Sequence, residues 1–223
     1  MDNLEIVRKV RDVFDNIAEE YDKRRTTPLR VIEVLVRKIP LGDSVLDAGT
    51  GNGRHIPLVL SDVGNAIAVD VSTKMLRLCK INAKRAALYA RVNPVLCDIS
   101  ALPFREGAFT GALYSAVIHH LPPQIRRRAL EEMKRTLRRN SMAILTLWSK
   151  RALKIRPDAR SIEGETASSG DFVIPWRTPR GAEERYYHLF TAEEAKRELL
   201  ESPLTLISIF EEGLNIVAIL ERQ

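Results

Sequence analysis

Hydrophobic positions in the first forty residues recur at three- and four-residue steps. They are Leu4, Val7, Val10, Phe14, Ile17 and Tyr21, and after Pro28 they continue as Leu29, Ile32, Leu35, Val36 and Ile39. This period predicts two amphipathic helices that lie on a core, the second one opened by the proline. We therefore expect an N-terminal helical extension over residues 1–40.

The middle of the chain carries short apolar runs bounded by turn residues, which is the pattern of buried strands. The runs end at Leu46, Asp70, Cys97, Ser115 and Trp148. Helical patterns separate them, the longest from Gln124 to about Leu137. Strands that alternate with helices at this spacing predict an α/β fold with a doubly wound, mostly parallel sheet.

The last third of the chain begins with a segment that has no apolar period. Residues 149–170 are rich in Lys, Arg, Ser and Gly, and we expect a mobile basic loop there. Apolar patterns return at 171–176 and 185–190, so residues 149–190 are predicted to form an inserted substrate element. Thr191 is a predicted helix cap, and residues 204–220 predict a closing antiparallel hairpin.

Length and charge add limits to this picture. A chain of 223 residues suits one domain, 1–223, and a net charge of +6 fits either a polyanionic partner or a charge-rich surface. No apolar run reaches about 18 residues and the N-terminus does not have the pattern of a signal peptide, so we expect no membrane association. Cys79 and Cys97 lie in apolar elements. We interpret them as core thiols of a cytoplasmic protein, without a disulfide or a metal site.

A glycine-rich turn follows the first predicted strand. Gly49, Gly51 and Gly53 alternate there, and glycine accepts positive φ and lets a ligand approach the backbone. Arg54 stands where a dinucleotide fingerprint needs glycine or alanine. With Asp47 two residues before the first glycine, the stretch resembles class I S-adenosylmethionine methyltransferases. A purely structural turn in another α/β protein is the alternative.

Acidic residues stand at three successive strand ends, Asp47, Asp70 and Asp98. A carboxylate accepts hydrogen bonds from both ribose hydroxyls, which is the role predicted for Asp70, although it can also be a helix cap before Ser72. In the methyltransferase pattern the position of Asp98 reads the adenine amino group, although Asp98 can also be a turn residue. The resemblance implies bound S-adenosylmethionine, contacted by Tyr21, Asp47, Gly49, Gly51, Asp70, Val71, Met75, Asp98, Ile99 and Ser115.

Two further groups of residues leave alternatives open. His119 and His120 follow the fourth strand, where they either hydrogen-bond a substrate as neutral groups or pack within a loop; adjacent residues point apart, which disfavours a metal site. Residues 126–128 are all arginine. They form either a solvated helix face or, with the basic loop, a surface that follows phosphates.

Three blocks outside the glycine turn are similar to the tRNA wobble-uridine carboxymethyl methyltransferase family. They are residues 116–121, 171–176 and 185–190, within a match that extends from about Val13 to Phe190. The resemblance implies an enzyme that converts 5-carboxymethyluridine, with or without a 2-thio group, to its methyl ester. It also implies tRNA and a small zinc-binding activator subunit as partners. The family's Pro-Gly-Gly before the fifth strand is absent, since residues 139–141 are Arg-Asn-Ser.

The chemistry of that reaction suggests roles for the matching residues. A carboxylate with a pKa near 4 is ionised at neutral pH, so methyl transfer needs positioning and charge placement without a general base. Arg25 and Arg185 are the candidate carboxylate partners, because a guanidinium binds a carboxylate in two places; a packing role is the alternative for Arg185. His119 and His188 are expected to orient the substrate. Trp176, Tyr186 or Tyr187 is expected to stack on a flipped-out base.

Two other functions stay open from the sequence. A small-molecule methyltransferase of the quinone or sterol type would have an apolar, closed pocket and no use for a basic surface. A non-catalytic adenosylmethionine-binding subunit or RNA scaffold would bind the cofactor and transfer nothing.

Overall fold

A computed structural model describes residues 3–61, 64–163, 169–179 and 181–223. Its helices are α1 (Asn3–Arg24), α2 (Arg30–Val36), α3 (Ile56–Val59), α4 (Thr73–Arg85), α5 (Pro123–Thr136) and α6 (Ala192–Leu200). Its strands are β1 (Ser44–Ala48), β2 (Asn65–Asp70), β3 (Val92–Leu96), β4 (Phe109–Ser115), β5 (Leu137–Trp148), β6 (Arg160–Ser161), β7 (Asp171–Thr178), β8 (Gly181–His188), β9 (Thr205–Glu212) and β10 (Asn215–Arg222).

Seven strands form the central sheet in the order β3-β2-β1-β4-β5-β10-β9. The first five pair in parallel, and β10 then pairs antiparallel with both β5 and β9. The predicted α/β class, with a mostly parallel sheet and a C-terminal antiparallel hairpin, is confirmed. Strand order reverses between β1 and β4, and the carboxyl ends of strands at such a point border a crevice.

Apolar cores cover both faces of this sheet. One core packs α5 and α6 against the strands and contains Leu130, Met133 and Leu145. The other contains Ile32 from α2 and Cys79 from α4. Burial on both faces is the reason why the central strands carry continuous apolar runs with little alternation.

The cysteines lie where the sequence predicts them. Cys79 is buried, Cys97 is half-buried, and both are free. Burial raises the pKa of each thiol to about 12, so both stay protonated at neutral pH. Among the described residues, no helix is long and apolar enough to cross a membrane.

Regular structure replaces much of the irregular basic loop that the sequence predicts. Lys150–Ile155 forms a 3₁₀ helix, and β6 pairs antiparallel with β7, which pairs with β8 in a small second sheet. Ala152 is buried with Ile174 and Tyr187 of that sheet. One buried alanine leaves no periodic signal, so the pattern could not reveal this packing. Residues 164–168 of the expected loop lie outside the described part.

The sequence predicts that the three arginines 126–128 of α5 form one surface, either a solvated helix face or a surface that follows phosphates. In the structure they do not share one environment. Arg127 is exposed, with 82% of its side chain accessible, as on a solvated helix face. Arg126 is only 2% exposed. Its guanidinium donates to both carboxylate oxygens of Glu198 on α6, at 2.9 Å each, and to the carbonyl of Leu121. Arg126 therefore joins two helices inside the fold.

Candidate active site

A cavity of about 420 Å³ opens at the carboxyl ends of β1, β2 and β4. The glycine turn and Asp70 form one end of its wall, and Arg185 and Tyr187 of β8 form the other. Helix α1 closes one side, since it contacts both α4 and β8. The cavity therefore joins the two predicted half-sites, for cofactor and for substrate.

The three glycines of the turn all have positive φ, between 56° and 78°, but they serve different purposes. A Cβ on Gly49 would overlap the side chain of Val117, and one on Gly53 would lie 2.7 Å from Cys79 Sγ. At these two positions the close packing of neighbouring side chains requires glycine. A Cβ on Gly51 would meet only Tyr21 Cε1, at 3.8 Å, so this glycine is the one that leaves the backbone open to the cavity.

Asp70 lines the cavity with its carboxylate fixed by the backbone. Its oxygens accept from the N–H groups of Gly51 at 2.8 Å and Ser72 at 2.9 Å. Asp47 lies behind the turn, 1% exposed, and accepts from the Thr50 hydroxyl at 2.7 Å. Burial raises the pKa of both carboxyl groups to about 6. At neutral pH both are ionised, and Asp70 keeps free lone pairs for a ligand's hydroxyls.

The other expected cofactor residues also border the cavity. Asp98 holds its carboxylate towards Ser100, whose backbone N–H and hydroxyl it accepts at 2.8 Å each. Every expected cofactor residue except Asp47 lines the wall: Tyr21, Gly49, Gly51, Asp70, Val71, Met75, Asp98, Ile99 and Ser115. A carboxylate for the ribose, an open glycine backbone and apolar walls fit adenosylmethionine.

Amide side chains fasten the end of α1 to the glycine turn. Asn52 Nδ2 donates to Asp22 Oδ1 at 2.8 Å and to the carbonyl of Arg25 at 3.0 Å. Asn82 of α4 donates to the same Asp22 oxygen, at 2.8 Å, and to the carbonyl of Asn52. The backbone of Arg25 is thereby fixed at the cavity, which its side chain lines.

Arg185 is the unusual residue at the substrate end. It is 3% exposed, and within the described part of the chain its side chain makes one hydrogen bond, from Nη1 to the Tyr187 hydroxyl at 2.6 Å. Its Nε and Nη2 atoms are buried without a hydrogen-bond partner in the described chain. No carboxylate of the described residues pairs with it; instead its guanidinium lies over the rings of Trp176 and Tyr187, at 4.8 and 5.0 Å. Burial lowers its pKa, since an uncompensated charge is costly inside a protein.

The two adjacent histidines are neutral and carry their protons on different atoms. His119 Nδ1 accepts from the Trp148 backbone N–H at 3.2 Å, so the proton is on Nε2. His120 Nδ1 lies 2.9 Å from the Tyr186 carbonyl, to which it donates. Burial lowers the pKa of His120 to about 3 and that of His119 well below its ordinary value. His119 therefore presents a neutral donor to the cavity that it lines.

Strand alternation divides the expected substrate residues between two faces of the β7–β8 hairpin. Arg185 and Tyr187 line the cavity, whereas Tyr186 and His188 do not. Tyr186 donates to Asp171 at 2.8 Å, and His188 lies between Asp171 and Glu194, at 2.6 and 2.9 Å. Neighbouring residues of a strand point to opposite faces, so a block of consecutive candidates cannot share one pocket.

Trp176 and Trp148 complete the substrate end. Trp176 is 6% exposed and lies outside the wall, where its ring contacts Tyr21 at 5.6 Å between centroids. Trp148 lines the cavity and stacks on Tyr187 at 4.9 Å, and Tyr187 stacks on His119 at 5.2 Å. The sequence reasoning did not identify Trp148, although its place at the carboxyl end of a parallel strand was the available signal.

Comparison with known proteins places these features among methyltransferases. Residues 45–140 match the model of a family described as "Methyltransferase domain". A protein of Encephalitozoon cuniculi, named as a methyltransferase without a stated substrate, is 33% identical over 80% of this chain and 78% of its own length. A protein of Schizosaccharomyces pombe named tRNA (carboxymethyluridine(34)-5-O)-methyltransferase is 28% identical over 86% of each chain.

Other relatives with the same printed activity are longer. The protein of Xenopus tropicalis is 33% identical over 63% of this chain, which spans 21% of that relative's length, and the one of Arabidopsis thaliana has 40% of its length matched. Among solved structures, a 1,6-didemethyltoxoflavin-N1-methyltransferase of Burkholderia thailandensis superposes with a TM-score of 0.74 at 18% identity, over 100% of this chain and 91% of that one. At that identity the likeness shows the fold alone.

Proposed function

Since this chain belongs to the S-adenosylmethionine-dependent methyltransferases, we propose that it transfers a methyl group to the carboxylate of 5-carboxymethyluridine at the wobble position of tRNA. The names of several relatives support this substrate. The observation that carries the proposal is the buried guanidinium of Arg185, whose Nε and Nη2 atoms have no hydrogen-bond partner among the described residues. It lines the same cavity as the residues expected to bind the cofactor. Because two of its nitrogens have no partner among the described residues, an anionic ligand would compensate its charge.

Arg185 is the better of the two candidate carboxylate partners. Both it and Arg25 line the cavity, but Arg185 is 3% exposed whereas Arg25 is half-buried. The unpartnered Nε and Nη2 atoms of Arg185 are the pair that forms a two-point bond with a carboxylate. A buried ion pair of this kind excludes water from the reacting oxygen and fixes its direction. We therefore assign the substrate carboxylate to Arg185.

The neighbouring residues fit a reaction that moves no proton. Bound adenosylmethionine supplies a methyl group on a positively charged sulfur, and an ionised carboxylate takes it without prior deprotonation. The neutral His119 is consequently a hydrogen-bond donor to the substrate, not a base. Asp70 holds the ribose hydroxyls, and the open backbone at Gly51 receives the cofactor. The transfer turns a carboxylate and a sulfonium into a neutral ester and a neutral thioether.

The aromatic wall of the cavity is suited to a base. Trp148, Tyr187 and His119 stack on one another beside Arg185, and stacking on such side chains is how proteins hold splayed-out bases. Trp176, Tyr186 and His188 do not line the cavity and so do not belong to this wall. In this proposal Trp176 positions the guanidinium of Arg185, while Tyr186 and His188 anchor β8 through Asp171.

The family resemblance supports two further parts of the proposal. We propose that a small zinc-binding activator subunit forms a heterodimer with this chain, and that the pair works in the cytoplasm. Co-expression and co-purification with a candidate zinc-binding partner test the first part. Recovery of this chain alone, with full activity, would remove the activator from the proposal.

Methyl transfer to total tRNA from labelled adenosylmethionine tests the function, with and without the zinc-binding partner. Products are digested to nucleosides and identified by mass, and Arg37→Gln, an exposed position that does not line the cavity, serves as a matched charge control. We expect an alkali-labile label on 5-carboxymethyluridine with the wild-type chain and with Arg37→Gln. Label on small molecules only would instead identify a small-molecule methyltransferase, and cofactor binding without any transfer would identify a scaffold.

A further inference from the structure

Three guanidinium groups gather around one indole ring. The Cζ atoms of Arg185, Arg24 and Arg25 lie 4.8, 5.4 and 5.9 Å from the centroid of the Trp176 ring. Arg24 and Arg25 come from the end of α1 and Arg185 from β8, so the ring joins two separate elements. An aromatic face attracts cations through its quadrupole without neutralising them. Trp176 therefore gathers positive charge that stays available to an anion.

The carboxylates next to this cluster on α1 compensate its charge in part. Asp22 accepts from two amide side chains, those of Asn52 and Asn82. Glu20 bonds Lys23 at 2.7 Å and forms a longer ion pair with Arg24, at 3.7 Å. Arg25 has no ion pair with any described residue. Like charges therefore stand side by side with only partial compensation from the protein itself.

The cations differ in depth. Arg185 lies deep, at 3% exposure, whereas Arg25 is half-buried at the cavity and half of the Arg24 side chain is exposed. A nucleotide drawn into a pocket by its base carries charge at two depths in the same way. Its base substituent enters first, and its phosphates stay at the mouth.

We propose that Arg24 and Arg25, held against Trp176, form a second anion subsite that binds a backbone phosphate of the substrate RNA. This inference rests on the proposed function, in which Arg185 holds the carboxylate of the same nucleotide. The guanidinium fork suits a phosphate as well as a carboxylate. The backbone of Arg25 is fixed by Asn52 and by its own N–H bond to the Tyr21 carbonyl, so its side chain starts from a rigid base.

The test uses an anticodon stem-loop RNA that carries one 5-carboxymethyluridine. A second RNA has neutral methylphosphonate linkages on both sides of that nucleotide. Binding is measured for the wild-type chain, Arg25→Gln, the double variant Arg24→Gln/Arg25→Gln, and Arg37→Gln as the charge-matched control. Cofactor affinity is recorded for each protein to show that it is folded.

Loss of one charge-assisted contact should weaken binding of the normal RNA by roughly tenfold in Arg25→Gln. The slope of log affinity against log salt should fall by about 1. Methylphosphonate linkages should weaken the wild-type chain by a similar factor and leave Arg25→Gln nearly unchanged, because the contact is already absent. Arg37→Gln should behave as the wild type with both RNAs.

Three results would overturn the subsite. One is that methylphosphonates weaken the wild type and Arg25→Gln equally. Another is that Arg37→Gln loses as much affinity as Arg25→Gln, which would mean that net charge alone causes the effect. Unchanged RNA affinity in Arg25→Gln, with transfer lost at saturating RNA, would move Arg25 to the reacting carboxylate. Failure of the proposed function is a separate outcome, since then the wild-type chain transfers no methyl group to the normal RNA.

Discussion

Arg126 and Arg185 are both buried arginines, and their surroundings are opposite. Arg126 is 2% exposed and its guanidinium is paired with both oxygens of Glu198, with the Leu121 carbonyl and with the Phe190 ring. Arg185 is 3% exposed, and among the described residues its guanidinium hydrogen-bonds only the Tyr187 hydroxyl. A buried charge persists when the fold compensates it or when function requires it. The first arginine serves the fold, and the second is the one that we propose to bind the substrate carboxylate.

The largest effect is expected from Arg185→Gln. Two charge-assisted hydrogen bonds to the substrate, at about 1.5–3 kcal/mol each, predict a loss of at least about 100-fold in kcat/KM for RNA. Cofactor affinity should stay unchanged, and thermal stability should stay equal or rise because an uncompensated buried charge is removed. Label transfer, calorimetric titration and thermal melting measure the three quantities. A strong loss of cofactor binding would contradict the role assigned to Arg185.

Arg126→Met should reverse that pattern. It leaves Glu198 without its partner, so we expect about 3 kcal/mol of lost stability, near the low end for broken buried pairs because Glu198 is 29% exposed. Cofactor affinity of the folded protein should be unaffected. Denaturant unfolding measures the change, and a second substitution, Glu198→Leu, should recover part of it. If Arg126→Met melted like the wild type, the structural role of the pair would be wrong.

The cofactor end and the substrate end of the cavity are expected to differ in their dependence on pH. The pKa of Asp70 is raised to about 6 by burial, so its carboxylate is ionised above that pH and protonated below it. A protonated Asp70 accepts the ribose hydroxyls poorly, and cofactor affinity should be about tenfold weaker at pH 5 than at pH 7. Between pH 7 and 8.5 it should stay flat. His119 and His120 should add no titration in this range, because burial keeps both of them neutral throughout.

Calorimetric titration with adenosylmethionine from pH 5 to 8.5 checks this expectation. Asp70→Asn is the matched variant, since it removes the Asp70 carboxylate while Asp47, whose pKa is also raised to about 6, stays in place, and it should bind weakly at every pH. Wild-type affinity that rises towards pH 5 would contradict the ionised role of Asp70.

The smallest effect is expected from Tyr187→Phe. It removes the hydroxyl that accepts from Arg185 and keeps the ring beneath the guanidinium. One hydrogen bond of about 0.5–1.5 kcal/mol predicts a loss of about 2- to 10-fold in kcat/KM. Steady-state transfer to the stem-loop RNA measures it. A loss as large as that of Arg185→Gln would mean that the hydroxyl, not the guanidinium, contacts the substrate.

The cofactor end was predictable because its residues occupy fixed places on the fold. Gly51, Asp70 and Asp98 each follow a strand whose carboxyl end lies at one edge of the sheet, so position along the chain was enough to bring them together. The hidden position of Asp47, behind the glycine turn, depends on the hydrogen bond to Thr50, which the sequence does not reveal.

The substrate end depends on contacts between distant residues. Nothing local distinguishes Arg126 from Arg185, because Glu198, the partner that neutralises Arg126, is 72 residues away in sequence. Likewise, the two faces of β8 were readable only after the block 185–190 was recognised as a strand. The two-residue period would then have selected Arg185 and Tyr187 over Tyr186 and His188.

The β7–β8 hairpin is therefore a part of the chain where insertions and deletions matter more than substitutions. Shifting β8 by a single residue would exchange its faces, and in one direction it would bring Glu184 and Tyr186 to the positions that Arg185 and Tyr187 now hold. The cavity would receive a carboxylate in place of its cation and would repel an anionic substrate. Among related chains, the length of this strand is accordingly the feature that should vary least when the substrate stays the same.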